Sequence, residues 1–130
     1  MKRLRTPHGY IFAEQIVDGI PVNPKLPDDF DYTPNEDRPA SHRKFWFVPY
    51  IVTESVERLD AFYASRTDEW ADEGRRQWAE KDRSRWLEVW PGGTRYDVRC
   101  LDGGAWDRST ACGWFANLEE AVACAKARRA

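Results

Sequence analysis

Residues 94–125, TRYDVRCLDGGAWDRSTACGWFANLEEAVACA, decide the fold class. Tyr96, Val98 and Cys100 alternate with Asp97, Arg99 and Leu101, the pattern of a half-buried strand. Asp102-Gly103-Gly104 turns the chain into a second strand at Ala105–Arg108, and Cys112–Phe115 supplies a third. Asn117 stands three residues before Glu120, the spacing of a capping box. Leu118, Ala121, Val122 and Ala125 then recur on one helical face. Residues 91–130 therefore read as a β-β-β-α unit, and the rest of the chain must be fitted around it.

Immediately upstream, Pro91-Gly92-Gly93 terminates a helical region. Thr53 reads as its N-cap, with Glu54 and Glu57 in the first turn, where the helix dipole favours anions. Val56, Leu59, Tyr63 and Trp70 fall on one face. Trp78 stays near that stripe, whereas Trp86 and Trp90 drift round the cylinder. One helix over 54–90 would be roughly 55 Å long at 1.5 Å per residue, longer than a domain of this size is wide. A change of direction near Gly74 is expected, because glycine costs a helix about 1 kcal/mol relative to alanine. Asp72/Arg76, Glu73/Arg76 and Glu80/Arg83 are ordinary helix-surface pairs. Before the helix, Lys44–Val52 is apolar on both faces and reads as a strand interrupted at Pro49.

The N-terminal third supplies a hairpin and a loop. Tyr10–Val17 is rich in β-formers and runs into Asp18-Gly19, a type I′ turn signal. Ile20-Pro21-Val22 returns as a short edge strand, since Pro21 cannot donate to a ladder. Residues 23–43 carry Pro24, Pro27, Pro34 and Pro39 with Asp28, Asp29, Asp31, Glu36 and Asp37. That composition predicts an irregular acidic loop, pinned by Phe30 and Tyr32 or offered to a partner. The expected architecture is α+β in a single domain. It comprises an N-terminal hairpin (1–22), a Pro-rich acidic loop (23–43), a strand and helical region (44–90) and the β-β-β-α unit (91–130). The sheet is expected to be small and antiparallel, beside a long or broken Trp-rich central helix.

Composition narrows the function classes. The 130 residues carry 20 basic and 22 acidic side chains, for a net charge of −2. By segment, 1–43 holds 6 basic against 7 acidic, 44–90 holds 8 against 10, and 91–130 holds 6 against 5. None is strongly basic, which weakens nucleic-acid binding. No apolar run reaches the ~20 residues that span a bilayer, so no membrane partner is expected. The basic start Met1–Arg5 leads into Thr6-Pro7-His8-Gly9 and not into a secretion signal. Cys100, Cys112 and Cys124 lack a C-x-x-C pair and read as reduced thiols of a cytoplasmic protein.

Reaction chemistry finds little to stand on. His8 and His42 are isolated loop histidines. The cysteines have no local ligand spacing, so neither a metal nor a cofactor is expected. The acidic pairs Asp28/Asp29, Asp68/Glu69 and Asp72/Glu73 look solvated, and Gly92-Gly93 and Gly103-Gly104 do not follow a phosphate-cradling pattern. An enzyme with a site assembled in space ranks third among the readings.

Tyr96-Asp97-Val98-Arg99, the Gly103-Gly104 turn, Gly113-Trp114-Phe115 and Asn117-Leu118-Glu119-Glu120-Ala121 resemble AP2-like and integrase arm-binding domains. In those families a three-stranded sheet enters the DNA major groove and a helix packs behind it. The resemblance covers about 35 residues. It implies that Arg95, Arg99, Trp106 and Arg108 face DNA, although Asp97, Asp102 and Asp107 in the same hairpin would oppose phosphates. In general character the chain also resembles the small accessory proteins of mobile elements, anti-CRISPR inhibitors among them.

Seven tryptophans weigh on the choice, four of them (Trp70, Trp78, Trp86, Trp90) in the charged helical stretch. Indoles are enriched where proteins grip one another. The leading expectation is a non-enzymatic protein-binding module. It would dock on a larger protein or nucleoprotein complex through Trp70, Trp78, Trp86 and Trp90, with Asp28, Asp29 and Asp31 as a second contact. The bland alternative buries the tryptophans between the N-terminal hairpin and the C-terminal sheet. Self-association as a homodimer would use the same patch, and DNA binding through the C-terminal sheet is the second functional reading.

Overall fold

The computed structural model describes residues 1–6, 9–25, 48–65, 72–101 and 109–129. The order of elements is β1 (Lys2–Thr6), β2 (Gly9–Val17), β3 (Ile20–Pro24), β4 (Tyr50–Ser55), α1 (Val56–Ser65), α2 (Asp72–Val89), β5 (Thr94–Leu101), β6 (Ser109–Phe115) and α3 (Leu118–Arg129). The strands form one six-stranded sheet in sequence order. The fold is α+β as expected, with a β-hairpin and a helix at the C-terminal end.

Contacts divide the chain into two compact units, Met1–Thr53 with Tyr96–Ala130, and Glu54–Arg95. The first contains most of the sheet and α3. β2 and β3 join through Asp18 (φ 52°) and Gly19 (φ 80°), the left-handed pair that a type I′ turn needs. β1 was not legible as a strand. Its single apolar residue, Leu4, lies among Lys2, Arg3 and Arg5, charges that suit the end of a sheet.

The sheet is mixed, not purely antiparallel, because β3 pairs with β4 in parallel. β3 is also an interior strand, where the sequence suggested an edge. Pro21 is tolerated there because it pairs with Ile16 next to the hydrogen-bonded Val17/Ile20 pair that closes the turn, so its nitrogen faces away from β2. On the β4 side the pairing is confined to Val22 and Ile51. Asn23 then turns left-handed (φ 52°), and its side chain takes over the ladder's role. Its Oδ1 accepts from the Thr53 backbone N–H at 2.9 Å, and its Nδ2 donates to Thr53 Oγ1 and to Glu14, each at 2.9 Å.

The main core of this unit lies between the sheet and α3. Ile20, Val22, Ile51 and Val98 meet Ala121, Val122 and Ala125, all essentially removed from water. The small residues on α3 let its backbone approach the strands. Asn117 caps the helix by accepting from the Glu120 N–H at 2.9 Å. A second cluster, Ile11 and Tyr50 with Leu4, Val48 and Val52, uses the residues that alternate with Ile51 on β4. β4 begins after Pro49, later than the expected strand. The expected middle strand at 105–108 lies outside the described residues, and β5 pairs directly with β6.

The second unit is a pair of helices. Ser55, not Thr53, caps α1 by accepting from the Arg58 N–H at 3.4 Å, because β4 runs three residues further than the sequence suggested. α1 ends at Ser65 and α2 begins at Asp72, so the expected break comes before Gly74, which lies inside α2. The helices run antiparallel: Tyr63 donates its hydroxyl to Asp82, and Arg83 pairs with Asp60 at 3.3 Å.

Candidate functional site

The helical unit is closed by one carbonyl. After α2, the Gly93 N–H donates to Trp90 O at 2.8 Å, forming a turn with Pro91 at its second position. Gly93 itself is left-handed, with φ of 83°. Its oxygen accepts from the Val56 N–H at 2.9 Å and from Trp86 Nε1–H at 3.0 Å. The same atom thus holds an unsatisfied N–H at the start of α1 and fixes the indole of α2.

That arrangement leaves Trp86 and Trp90 half-buried and shapes the surface beside them. A cavity of about 260 Å³ is lined by Leu59, Asp82, Arg85, Trp86, Val89 and Trp90, with Arg95 at its edge. A neighbouring hollow of about 290 Å³ shares Leu59, Trp86 and Arg95 and extends to Glu54, Arg58 and Phe62. The Arg95 guanidinium lies 5.1 Å above the Trp86 ring, a cation–π contact between two residues that line both hollows. Val89 is 60% exposed and Phe62 50% exposed, so both present apolar surface to solvent. Over these two hollows three arginines face two carboxylates. Both carboxylates are engaged, Glu54 by Arg58 at 3.2 Å and Asp82 by the Tyr63 hydroxyl. The lining of the two hollows combines aromatic and aliphatic side chains with one more arginine than carboxylate.

The sequence-predicted residues fare unequally. Trp86 and Trp90 meet in the groove. Trp78 points to solvent, 52% exposed, with Lys81 Nζ 5.2 Å above its ring. Its expected place on the stripe of α1 assumed one continuous helix. Once the helix ends at Ser65, the angular register is lost, and Ala79, Asp82 and Trp86 form the half-buried row of α2 instead, with Trp90 just past its end. Trp70, Asp28, Asp29 and Asp31 lie outside the described residues, as do His8 and His42. Of the residues that the DNA-binding resemblance implied, Arg95 is engaged with Trp86 and Arg99 is half-buried on β5, while Trp106 and Arg108 lie outside the described residues. Asp97, expected to oppose phosphates, is only 4% exposed.

Sequence reasoning missed several residues. Phe62, Val89 and Trp114 (55% exposed) carry no local signal of function, since a single exposed apolar side chain is common. The cysteines were read as separate, yet Cys100 and Cys112 bring their sulfurs to 3.4 Å, and Arg128 Nη2 stands 3.6 Å from Cys100 Sγ. Burial pushes the Cys124 thiol above its ordinary value, Cys112 adds to the rise, and Arg128 partly offsets it. Among the described residues no group of three or more His, Cys, Asp or Glu side chains is placed to hold a metal ion, and no helix is long and apolar enough to cross a membrane. Set against known proteins, the chain matches no family model, no curated protein and no solved structure.

Proposed function

We propose that this chain is a non-enzymatic protein-binding module that docks on a larger protein through the Trp86–Trp90 groove of its helical unit. The observation that carries the reading is the conjunction of two half-buried indoles, an exposed Val89 and two arginines, Arg85 and Arg95, against one carboxylate, Asp82, in the lining of one cavity. Aromatic side chains held rigidly beside an arginine are the usual anchors of protein interfaces. The arginines select the occupant: a partner segment with an apolar or aromatic anchor flanked by carboxylates. Such an anchor fits a cavity of about 260 Å³, and its flanks meet Arg85 and Arg95. Reduced cysteines suit a cytoplasmic setting, and an accessory factor or inhibitor acting on a larger complex is the role that a contact surface of this kind serves.

The test captures partners from a host lysate, with and without nuclease treatment, using the wild-type chain and Val89→Glu, Arg85→Glu, Trp114→Ala and Arg99→Ala. A defined protein is expected with wild type and Trp114→Ala and is lost with both groove variants. Its cross-linked segment should carry an apolar anchor between acidic residues. Capture that survives both groove variants overturns the proposal. So does retention that vanishes with nuclease and with Arg99→Ala, an outcome that favours DNA binding by the C-terminal hairpin.

A further inference from the structure

We propose that Cys100 and Cys112 form a dithiol site for thiol–disulfide exchange, whose reactant is a low-molecular-weight disulfide of the glutathione type. Three features of the sheet and α3 build it. Val98 faces Gly113 while Arg99 faces Ala111, so Cys112 is the extra residue of a bulge in β6. A bulge frees a residue from the ladder and re-aims its side chain, here to 3.4 Å from Cys100 on β5. The neighbouring Gly113 leaves room for the Phe115 ring, which a Cβ would meet at 2.9 Å. An S–S bond is about 2.0 Å long, so the sulfurs must approach by about 1.4 Å.

The second feature is charge. Arg128, on the last turns of α3, donates to Cys100 Sγ and acts on both Cys100 and Cys112, and the two sulfurs in turn reinforce its own protonation. A guanidinium beside a thiol favours the thiolate, the form that attacks disulfides. The third feature is a division of access. Cys112 is half-buried and open to a small reactant, whereas Cys100 is buried. Cys124, its pKa raised by burial and by Cys112, stays a thiol at neutral pH.

The chemistry balances in two exchanges. Cys112 thiolate attacks one sulfur of the incoming disulfide, breaks its S–S bond and expels one small thiolate, leaving a mixed disulfide on Cys112. Cys100 thiolate then attacks Cys112 Sγ and expels the second small thiolate. The protein gives up two electrons and two protons, and the reactant leaves as two thiols. Disulfides of this kind in reducing compartments are transient and redox-sensing, not structural.

The test holds the full chain in glutathione buffers from fully reduced to fully oxidised. It is quenched with acid, alkylated with N-ethylmaleimide and mapped by mass spectrometry. Oxidation should yield a Cys100–Cys112 bond with Cys124 alkylated, and Cys124→Ser should form the same bond. Cys100→Ser should stop at glutathionylated Cys112, an adduct that Cys112→Ser lacks. Arg128→Leu should slow formation of the Cys100–Cys112 bond in the oxidising buffer, because the guanidinium that contacts Cys100 Sγ is gone. Full alkylation of both Cys100 and Cys112 under oxidising conditions overturns the proposal, as does a bond through Cys124 or one formed only in urea.

Discussion

Asn23 shows how much one side chain can hold. It ends the β3 ladder in a left-handed conformation and hands its amide to Thr53 and Glu14. Asn23→Ala removes the acceptor for the Thr53 N–H and places a Cβ residue in a region that alanine avoids, so a loss of about 2 kcal/mol is expected. Asn23→Gly keeps the backbone freedom and should cost less, and urea unfolding of the two variants checks the order. Cys124 gives a pH signature. Its folded-state pKa lies above the unfolded one, so the native state binds the proton more tightly. Its contribution is full below the unfolded thiol value of about 8.5 and is lost as pH rises through the folded value. Cys124→Ala should therefore lose less stability than wild type between neutral and strongly alkaline pH, read as Tm against pH. Neither residue was legible. Asn23 looked like a loop asparagine between prolines, and the burial that raises Cys124, with Cys112 12 positions away, arises only when α3 packs on the sheet.

At the scale of elements, the sequence spoke clearly wherever its cue was local. Asp18-Gly19 dictated its turn, Asn117 its cap, and Pro91-Gly92-Gly93 the end of α2. Asn117→Ala should cost about 1 kcal/mol, seen as a lower urea midpoint. Gly93 does more than end a helix. With φ of 83° and Val56 Cγ1 3.4 Å from where a Cβ would stand, Gly93→Ala strains the turn whose carbonyl joins α1 to Trp86. A loss of about 1–2 kcal/mol is expected. Intrinsic tryptophan fluorescence should shift to the red as Trp86 gains water. What failed was angular bookkeeping. A helical wheel carried across a break assigns faces that the separate helices do not share, which is why Trp78 was misplaced. β1 failed for the opposite reason, since one leucine among charges leaves no period to read.

For the whole molecule, the two units differ in how much apolar surface they remove from water. In the helical unit Val56 and Tyr63 are the buried residues of α1, and no described side chain of α2 is fully buried. The sheet and α3 bury a continuous cluster from Ile20 to Ala125. Backbone amides of α2 should therefore exchange with deuterium faster than those of β2, β3 and β5, as mass spectrometry can show. A docking surface on the less protected unit can adjust to its partner at little cost. By itself the sequence determined the class of fold, the turns and caps, and the presence of more tryptophan than one helical face can hold, because propensity, proline and glycine act within a few residues. Only tertiary structure decided the mixed sheet, the pairing of Trp86 with Arg95 and the meeting of Cys100 with Cys112. The first depends on strand order, the second on the path of the turn after α2 and the third on a bulge in the β5–β6 register, and no local pattern encodes any of them.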